Sequence, residues 1–263
     1  MTNQIPSGEP PLGVLACPEP EDRPDLWPTT ARRTPDGELA LGGLTVSEIL
    51  ADAPSPVFVL DEADLRGRAA SWSAAMAEEF WSGYGLRGGE AFYAGKAFLT
   101  TQVARIVLQE GMGIDTASRV ELAVGLAGLE KVDGPEATTH ARRLGLHGNG
   151  KTPAEVTTAV RHRVGHLVID SPEEVDHAVA AVHELRRSGD FGADERARVM
   201  VRLTTGIHAG GHEYISTAHE DQKFGLSVST GAARRAIDAI VAADELELAG
   251  LHSHIGSQIL DLA

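Results

Sequence analysis

A single lysine follows a short apolar run about a third of the way along the chain. The run is Ala91-Phe92-Tyr93-Ala94, and Lys96 comes two residues later. An amine that is partly removed from water loses its proton more readily, and the neutral amine is a nucleophile that condenses with aldehydes. For a lysine taken alone, a solvated position at the end of a strand is the commoner explanation. The interpretation of Lys96 therefore depends on which residues the fold brings near it.

Other polar side chains follow apolar segments farther along the chain. Each occurs at or just after the end of a segment whose composition predicts a β-strand. They are Asp115, His147, Asp170, Arg202 and His254. In a barrel of parallel strands such ends form one rim, where the active site lies, so these residues are predicted to converge with Lys96. Asp170, which Ser171-Pro172 follows, also has the pattern of a helix cap.

Helices and strands alternate from Asp61 onward. Apolar residues at helical spacing follow Asp61 and Asp64, and helices after Thr152 and Ser171 share a start with a cap, a proline and a glutamate. The predicted strands are 91–94, 113–116, 143–147, 166–170, 197–204 and 247–252. This alternation predicts a parallel sheet with helical crossovers, and the length favours a (β/α)8 barrel over an open doubly wound sheet. The predicted fold class is therefore α/β, a TIM-type barrel that is incomplete here, with about six of its eight strands.

The first 60 residues differ in composition from the rest. Residues 1–35 are rich in proline among polar and acidic residues, which predicts a loose arm without regular elements. Leu26 and Trp27 are candidates to anchor this arm to a surface. Residues 36–60 contain a weak alternation, a short amphipathic segment at 46–51 and a predicted strand at 56–60. Residues 61–263 are predicted to form the partial barrel.

The composition indicates a soluble globular protein. Of 263 residues, 42% are hydrophobic and 23% are charged. The formal charge of −15 disfavours nucleic acid and anionic membranes as partners. No stretch approaches the roughly 20 apolar residues of a membrane span. Cys17 is the only cysteine, and the N-terminus has no basic segment followed by a long apolar run, so a cytoplasmic location is expected.

The usual nucleotide-binding motifs are absent, and a metal motif is only partly present. The sequence contains neither Gly-x-Gly-x-x-Gly nor Gly-x-x-x-x-Gly-Lys-Ser/Thr, although a different phosphate ligand remains allowed. His252 and His254 lie on one face of a predicted strand, as two ligands of a metal site would, and Asp170 and His147 could add to them. A metal-dependent barrel hydrolase therefore stays open as an alternative. So does a non-catalytic relative or binding module, although the retained Lys96 argues against it.

Six motifs resemble those of the fold-type III decarboxylases that use pyridoxal phosphate. The matching segments are 92–98, 113–122, 146–151, 168–174, 212–225 and 250–258. The run His-Ser-His-Ile-Gly-Ser-Gln at 252–258 and the run Asp-Gln-Lys-Phe-Gly at 221–225 are specific in combination. Within the family the motifs are most similar to the branch that converts meso-2,6-diaminopimelate to L-lysine and carbon dioxide, the last step of lysine biosynthesis. Ornithine and arginine decarboxylases fit less well, and the Tyr-Gly-His-Gly run of alanine racemases is absent.

The resemblance implies a pyridoxal phosphate cofactor, no metal and a small amino-acid substrate. The cofactor-binding residues that it implies are Lys96, Asp115, His147, Arg202, His254 and Ser257. Lys96 would hold the cofactor aldehyde covalently and would be the catalytic residue. Asp115 would lie near that link, where its charge favours the protonated form. His254 would stack on the ring, with His252 as its alternative, and Ser257 would help to bind the phosphate.

The chain departs from the family pattern in two residues and in its length. Gly95 stands where the family has a small side chain and Gly150 where it has asparagine, so a looser backbone is expected at both. The family's glycine-rich phosphate loop, Glu-Pro-Gly-Arg segment and C-terminal β-domain are not found, and residues 36–60 would pair partly with that domain. The chain is therefore expected to be the N-terminal part of an enzyme whose full-length form is a homodimer. As given, it is expected to be inactive, to bind the cofactor weakly and to have unpaired strand edges.

Overall fold

The computed structural model describes residues 18–53, 55–78, 80, 83, 85–205 and 224–254. Contacts divide the chain into two compact units, Met1–Arg68 and Ala69–Ala263. Across the described ranges, every helix is too short or too polar to cross a membrane.

The first unit contains a small antiparallel sheet and the start of a long helix. Its elements are β1 (Arg32–Arg33), β2 (Leu39–Leu41), β3 (Leu44–Thr45), α1 (Val46–Asp52) and the first part of α2 (Glu62–Glu78). The strands pair in the order β1-β2-β3. Thr45 and Glu48 form a capping box at the start of α1. Helix α1 covers the amphipathic segment at 46–51. The Asp61 carboxylate accepts the Asp64 N–H at 3.0 Å, and the helix predicted after Asp61 is confirmed as α2.

Two predictions for this unit are wrong. The described part of the proline-rich arm contains a regular element, since Arg32–Arg33 forms β1. These two residues are not prolines and pair antiparallel with Ala40 and Leu39 of β2. Within the arm the Trp27 indole N–H donates to the Pro18 carbonyl at 2.8 Å, whereas Leu26 is exposed. Residues 57–60 form no strand, since no described strand pairs with them, and Phe58 is fully exposed.

The second unit alternates strands and helices along the chain. Its elements are β4 (Phe92–Ala94), α3 (Thr101–Gln109), β5 (Gly113–Thr116), α4 (Arg119–Asp133), β6 (Leu144–Leu146), α5 (Pro153–Arg161), β7 (His166–Ile169), α6 (Pro172–Ser188), β8 (Ala197–Thr204), β9 (Leu226–Ser227), α7 (Ala232–Ala242) and β10 (Leu246–Ser253). A short 3₁₀ turn, Pro135–Thr139, lies between α4 and β6. The six predicted strands are confirmed, and β9 was not predicted.

The strands of this unit form one parallel sheet in the order β4-β5-β6-β7-β8-β10, and β9 pairs with the end of β8. A helix intervenes between successive strands of this order, so all the strands run the same way and their C-terminal ends lie along one edge. Among the described residues, β4 and β10 each pair on one side only, which matches the expectation of two strand edges.

The core of the second unit lies between the sheet and its helices. The central strands β5, β6, β7 and β8 are largely buried, as parallel strands covered on both faces are, whereas the outer strands β4 and β10 are more exposed. The largest fully buried side chains include Ile106, Ile114, Leu122, Leu144, Leu167, Leu185 and Ile240. These side chains come from both strands and helices, so apolar packing between the sheet and its crossover helices forms the core.

The two helices predicted to begin alike do not. Thr152 and Glu155 form the predicted capping box at the start of α5. At the start of α6 the Ser171 side chain makes no capping bond, and Glu174 is 2% exposed and pairs with the buried Lys151. The same sequence pattern gives two structures because the second glutamate has a buried partner from another loop.

Helix α4 continues through Gly125 and Gly128, because these glycines pack closely against neighbouring elements rather than ending the helix. A methyl group added at Gly128 would lie 2.5 Å from the Ala104 Cβ of α3. Gly67, inside α2, has open space at the same position. The end comes at Gly134, which has a φ of 84°.

We expect opposite effects from the same substitution at these two glycines. Alanine raises helix stability by about 0.5–1 kcal/mol over glycine, so Gly67→Ala should stabilise the fold. Gly128→Ala should lower the free energy of unfolding by about 1 kcal/mol or more, because overpacking outweighs the gain. Urea unfolding of the two variants measures both effects. Stabilisation by both would contradict the close contact of α3 and α4.

Candidate active site

A pocket of about 430 Å³ opens at the C-terminal edge of the parallel sheet. Its volume is in the range of small-molecule sites, roughly 300–1,000 Å³. It is lined by Ala94, Lys96, Asp115, Thr116, Ala117, His147, Gly148, Arg202, Phe224, His252 and His254. All of these come from strand ends or from the adjoining loops. The structure thus brings together five of the six predicted site residues, and Ser257 lies outside the described residues.

Lys96 lies in the turn that follows β4. The Gly95 N–H donates to the Asp115 carbonyl at 2.8 Å, so β4 stays tied to β5 up to the residue before the lysine. The Tyr93 hydroxyl donates to the Phe98 carbonyl at 2.6 Å and closes the turn. The side chain of Lys96 itself is exposed, so the partial desolvation expected from the sequence is not found. The reason is its position in a turn beyond the strand, at the open side of the pocket.

The two unusual glycines do not loosen the backbone in the way the sequence suggested. Gly95 is buried, and a Cβ there would lie 2.8 Å from the Asp115 carbonyl oxygen, so the residue allows a close approach of β4 and β5. Gly150 has a φ of +66° and open space around it. Asparagine also adopts this left-handed conformation, so the departure at Gly150 changes the backbone little.

Asp115, His147 and His252 form a contact series across the pocket. Asp115 Oδ1 lies 2.9 Å from His147 Nε2, and Gly145 leaves room for this carboxylate, because a Cβ there would lie 2.6 Å from Oδ1. The His147 and His252 rings meet edge to face with centroids 4.8 Å apart. The buried His252 Nδ1 has no hydrogen-bond partner in the described part of the chain.

Two histidines of the pocket have lowered pKa values. Burial first, and then the neighbouring His147 and Arg202, lower the pKa of the His252 imidazole to about 4. The pKa of His254 is lowered by burial and then by the charges of Lys96 and Arg202. At neutral pH both rings are therefore uncharged, and they present aromatic faces without adding positive charge.

Arg202 is held in place by a buried carboxylate. Arg202 is 8% exposed and Asp170 is 5% exposed, and an Arg202 N–H donates to Asp170 Oδ1 at 3.3 Å. The Gly225 N–H donates to the other oxygen of Asp170 at 3.1 Å, and the guanidinium lies 4.6 Å from the Phe224 ring centroid. Asp170 is therefore the partner of Arg202, and the helix-cap interpretation of Asp170 is wrong.

Sequence reasoning gave no role to three features of the pocket. Phe224 lies under the Arg202 guanidinium, and the Thr116 hydroxyl donates to the Gly145 carbonyl at 2.6 Å. The pairing of Asp170 with Arg202 was also missed. Phe224 lies in one of the matched motifs, but neither a cation-π contact nor a pairing between distant strands has a local sequence signal.

The side chains present suit a flat aromatic aldehyde that carries negative charge. They supply an exposed amine, two uncharged imidazoles and a guanidinium with further N–H donors. Among the described residues there is no group of three or more His, Cys, Asp and Glu side chains that could hold a metal ion. The alternative of a metal-dependent hydrolase has no support from these residues.

Comparisons with known proteins match the same region of the chain. The family model described as pyridoxal-dependent decarboxylase, pyridoxal binding domain, matches residues 63–263. The diaminopimelate decarboxylase of Mycobacterium tuberculosis H37Rv is 41% identical over 91% of this chain and 48% of its own length. That of Bacillus subtilis strain 168 is 33% identical over 89% of this chain and 48% of its own length. The chain spans about half the length of these curated relatives.

A solved structure shows the same fold. The diaminopimelate decarboxylase from M. jannaschii in co-complex with L-lysine has a TM-score of 0.69 and 25% identity, covering 89% of this chain and 49% of that chain. This similarity confirms the predicted class, α/β with an incomplete TIM-type barrel.

The low pKa of His252 predicts a pH dependence of folding stability. An unfolded histidine has a pKa of about 6.5, so between about pH 6.5 and pH 4 the unfolded chain binds more protons at this residue than the folded chain does. The contribution of His252 is therefore present above about pH 6.5 and is lost as the pH falls toward 4. His252→Phe keeps a ring beside His147 and removes the proton.

Urea unfolding at a series of pH values measures this effect. In His252→Phe, the rise of the unfolding free energy with pH should be smaller by up to about 1.4 kcal/mol per pH unit. The slope should not vanish, because burial also lowers the pKa values of His254 and His166. Equal slopes in the variant and the wild type would show that His252 titrates normally.

Proposed function

The chain belongs to the pyridoxal-dependent decarboxylases, and we propose that it forms the cofactor-binding part of a diaminopimelate decarboxylase. The reaction is the conversion of meso-2,6-diaminopimelate to L-lysine and carbon dioxide. The observation that carries the proposal is the meeting of Lys96, Asp115, His147, Arg202 and His254, from five different strand ends, around one pocket. The names of the curated relatives support the substrate.

Lys96 is the proposed attachment point of the cofactor. Pyridoxal phosphate, when bound, supplies a sink for the electron pair that remains when carbon dioxide leaves. Lys96 is the one lysine among the residues that line the pocket, and its amine is exposed there. An amine can react with an aldehyde when it is neutral, whereas a guanidinium stays protonated. The closed turn between Tyr93 and Phe98 limits where this amine can reach.

Asp115 and the pocket histidines set the charge around that amine. The Asp115 carboxylate is oriented by His147 at 2.9 Å, and a negative charge at this point favours a protonated nitrogen on Lys96. The uncharged His254 ring is the proposed stacking partner of the cofactor ring. Its low pKa keeps it from repelling a protonated ring at neutral pH.

Arg202 is the proposed donor to an anionic oxygen of the cofactor. Asp170 and Gly225 fix the position of its guanidinium, and the Phe224 ring covers one face. A guanidinium carries five N–H donors, and Asp170 uses only part of this set. Arg202 can therefore orient a ligand oxygen without moving.

The proposal extends to the role of Ser257 and to the assembly. Ser257, in the motif 250–258, is the proposed phosphate ligand, and a homodimer in the cytoplasm is the proposed state of the full-length enzyme. Their support is the resemblance of the motifs, and the single cysteine fits a reducing compartment.

Replacing Lys96 tests the proposed function. In the complete reading frame that contains this chain, Lys96→Ala should abolish release of carbon dioxide from diaminopimelate. It should also abolish the cofactor adduct that borohydride traps, and Lys96→Arg should not restore either. Lys131→Ala, which removes a lysine from the last turn of α4, is the matched control and should behave as wild type. A normal trapped adduct in Lys96→Ala would overturn the assignment.

Replacing His254 tests the stacking role. Stacking is worth about 0.5–1.5 kcal/mol, so His254→Ala should raise the cofactor Kd about two- to tenfold, measured by absorbance titration, and should lower turnover. The fold should be kept, as judged by circular dichroism. His183→Ala, at an exposed histidine of α6, is the control. Unchanged affinity and turnover in His254→Ala would indicate that His252 has the stacking role or that neither ring has it.

A further inference from the structure

Four charged side chains of the second unit are buried among the described residues, and they form two pairs. Asp170 and Arg202 make the pair already described at the pocket. Lys151 and Glu174, which are 6% and 2% exposed, make the other, with Lys151 Nζ 2.8 Å from Glu174 Oε2. Neither Lys151 nor Glu174 is among the residues that line the pocket. The second pair therefore needs an explanation other than direct contact with a ligand there.

The Glu174 carboxylate joins the loops that follow two neighbouring strands. It accepts the backbone N–H of Lys151, after β6, at 3.2 Å and the backbone N–H of Asp170, after β7, at 2.8 Å. The Lys151 amine in turn donates to the Gly148 carbonyl at 2.6 Å. One buried carboxylate and one buried amine thus set the separation of the two loops.

Both loops lead from this pair to the pocket. Gly148 lines the pocket directly. Asp170, whose backbone is held by Glu174, binds Arg202 through one oxygen and the Gly225 N–H through the other. The position of Arg202 therefore depends, through Asp170, on a glutamate that does not touch the pocket.

Helix stability alone does not explain this arrangement. A glutamate at this position of a helix normally completes a capping box, as Glu155 does in α5. In α6, Glu174 is turned inward and Ser171 makes no capping bond. An apolar pair of similar volume is often as stable as a buried ion pair, because burying both charges carries a large desolvation cost. What an apolar pair cannot supply is an acceptor for the two backbone N–H groups.

We propose that Lys151 and Glu174 are positioning residues that hold the loops after β6 and β7 so that Asp170 presents Arg202 to the pocket. The proposal deepens the proposed function, since it assigns two further residues to the cofactor site. It rests on that function for the identity of the ligand, but not for the contacts between the loops.

The double variant Lys151→Met/Glu174→Leu tests the proposal in the 263-residue chain. It removes both charges together and fills their volume, so folding should be kept, as judged by circular dichroism. Two properties are measured: the Kd for pyridoxal phosphate and the hydrogen exchange rate of the Gly225 amide, which bonds to the Asp170 side chain. We expect each to rise at least about tenfold, because Asp170 loses the acceptor that holds its backbone.

Thr152→Ala is the matched control. It breaks the capping box of α5 in the same loop and lowers stability, but leaves the Lys151–Glu174 pair intact. It should leave the Kd and the Gly225 exchange rate within about twofold of wild type after exchange is corrected for global unfolding. If the double variant does not fold, Glu174→Gln is compared with Thr152→Ala by the same two criteria.

Two outcomes separate this proposal from the proposed function. A folded variant with wild-type Kd and wild-type Gly225 exchange would overturn the positioning role. If the wild-type chain shows no binding of pyridoxal phosphate, the proposed function loses support, and the Gly225 exchange rate still decides whether Lys151 and Glu174 position Asp170.

Discussion

Parallel pairing of short strands is the constraint on which the candidate site depends. Because β4, β5, β6, β7, β8 and β10 all run in one direction, the residues after them share one edge, although up to about 160 positions separate them in the chain. Backbone bonds extend this register beyond the strands, as the Gly95 N–H does toward the Asp115 carbonyl. The order and direction of the strands therefore determine which side chains meet at the pocket, and the loops determine their final positions.

Two charged side chains of the pocket have polar partners on neighbouring strands. The Arg202 guanidinium has a buried carboxylate partner, and Asp115 has an imidazole partner. The low pKa values of His252 and His254 prevent a further build-up of positive charge beside Lys96 and Arg202. A ligand with a negative group and an aromatic ring would enter a site whose cations are already oriented, which reduces the reorganisation needed on binding.

The sequence predicted most of the second unit because its signals are local. Hydrophobic runs, caps such as Thr152 and the helical spacing after Asp61 are properties of adjacent residues. Five of the six residues predicted from strand ends and motifs line one pocket. The wrong predictions concern positions whose structure depends on contacts with residues that are distant in the sequence. Residues 57–60 have the composition of a strand but lack a described partner, Glu174 is drawn away from its helix by Lys151, and Gly95 is fitted to a carbonyl of the next strand. The role of Asp170 was missed for the same reason, since Arg202 follows it by 32 positions.

The two outermost strands of the parallel sheet contribute residues to the same pocket. β4 and β10 stand at opposite ends of the hydrogen-bonded order, yet Lys96, after β4, and His252 and His254, at the end of β10, line the same pocket. The sheet must therefore be curved far enough to bring its two sides to one opening. A molecule bound there would contact side chains from both outer strands at once. Small changes of twist in any intervening strand would then accumulate as a change in the gap between the amine and the imidazoles.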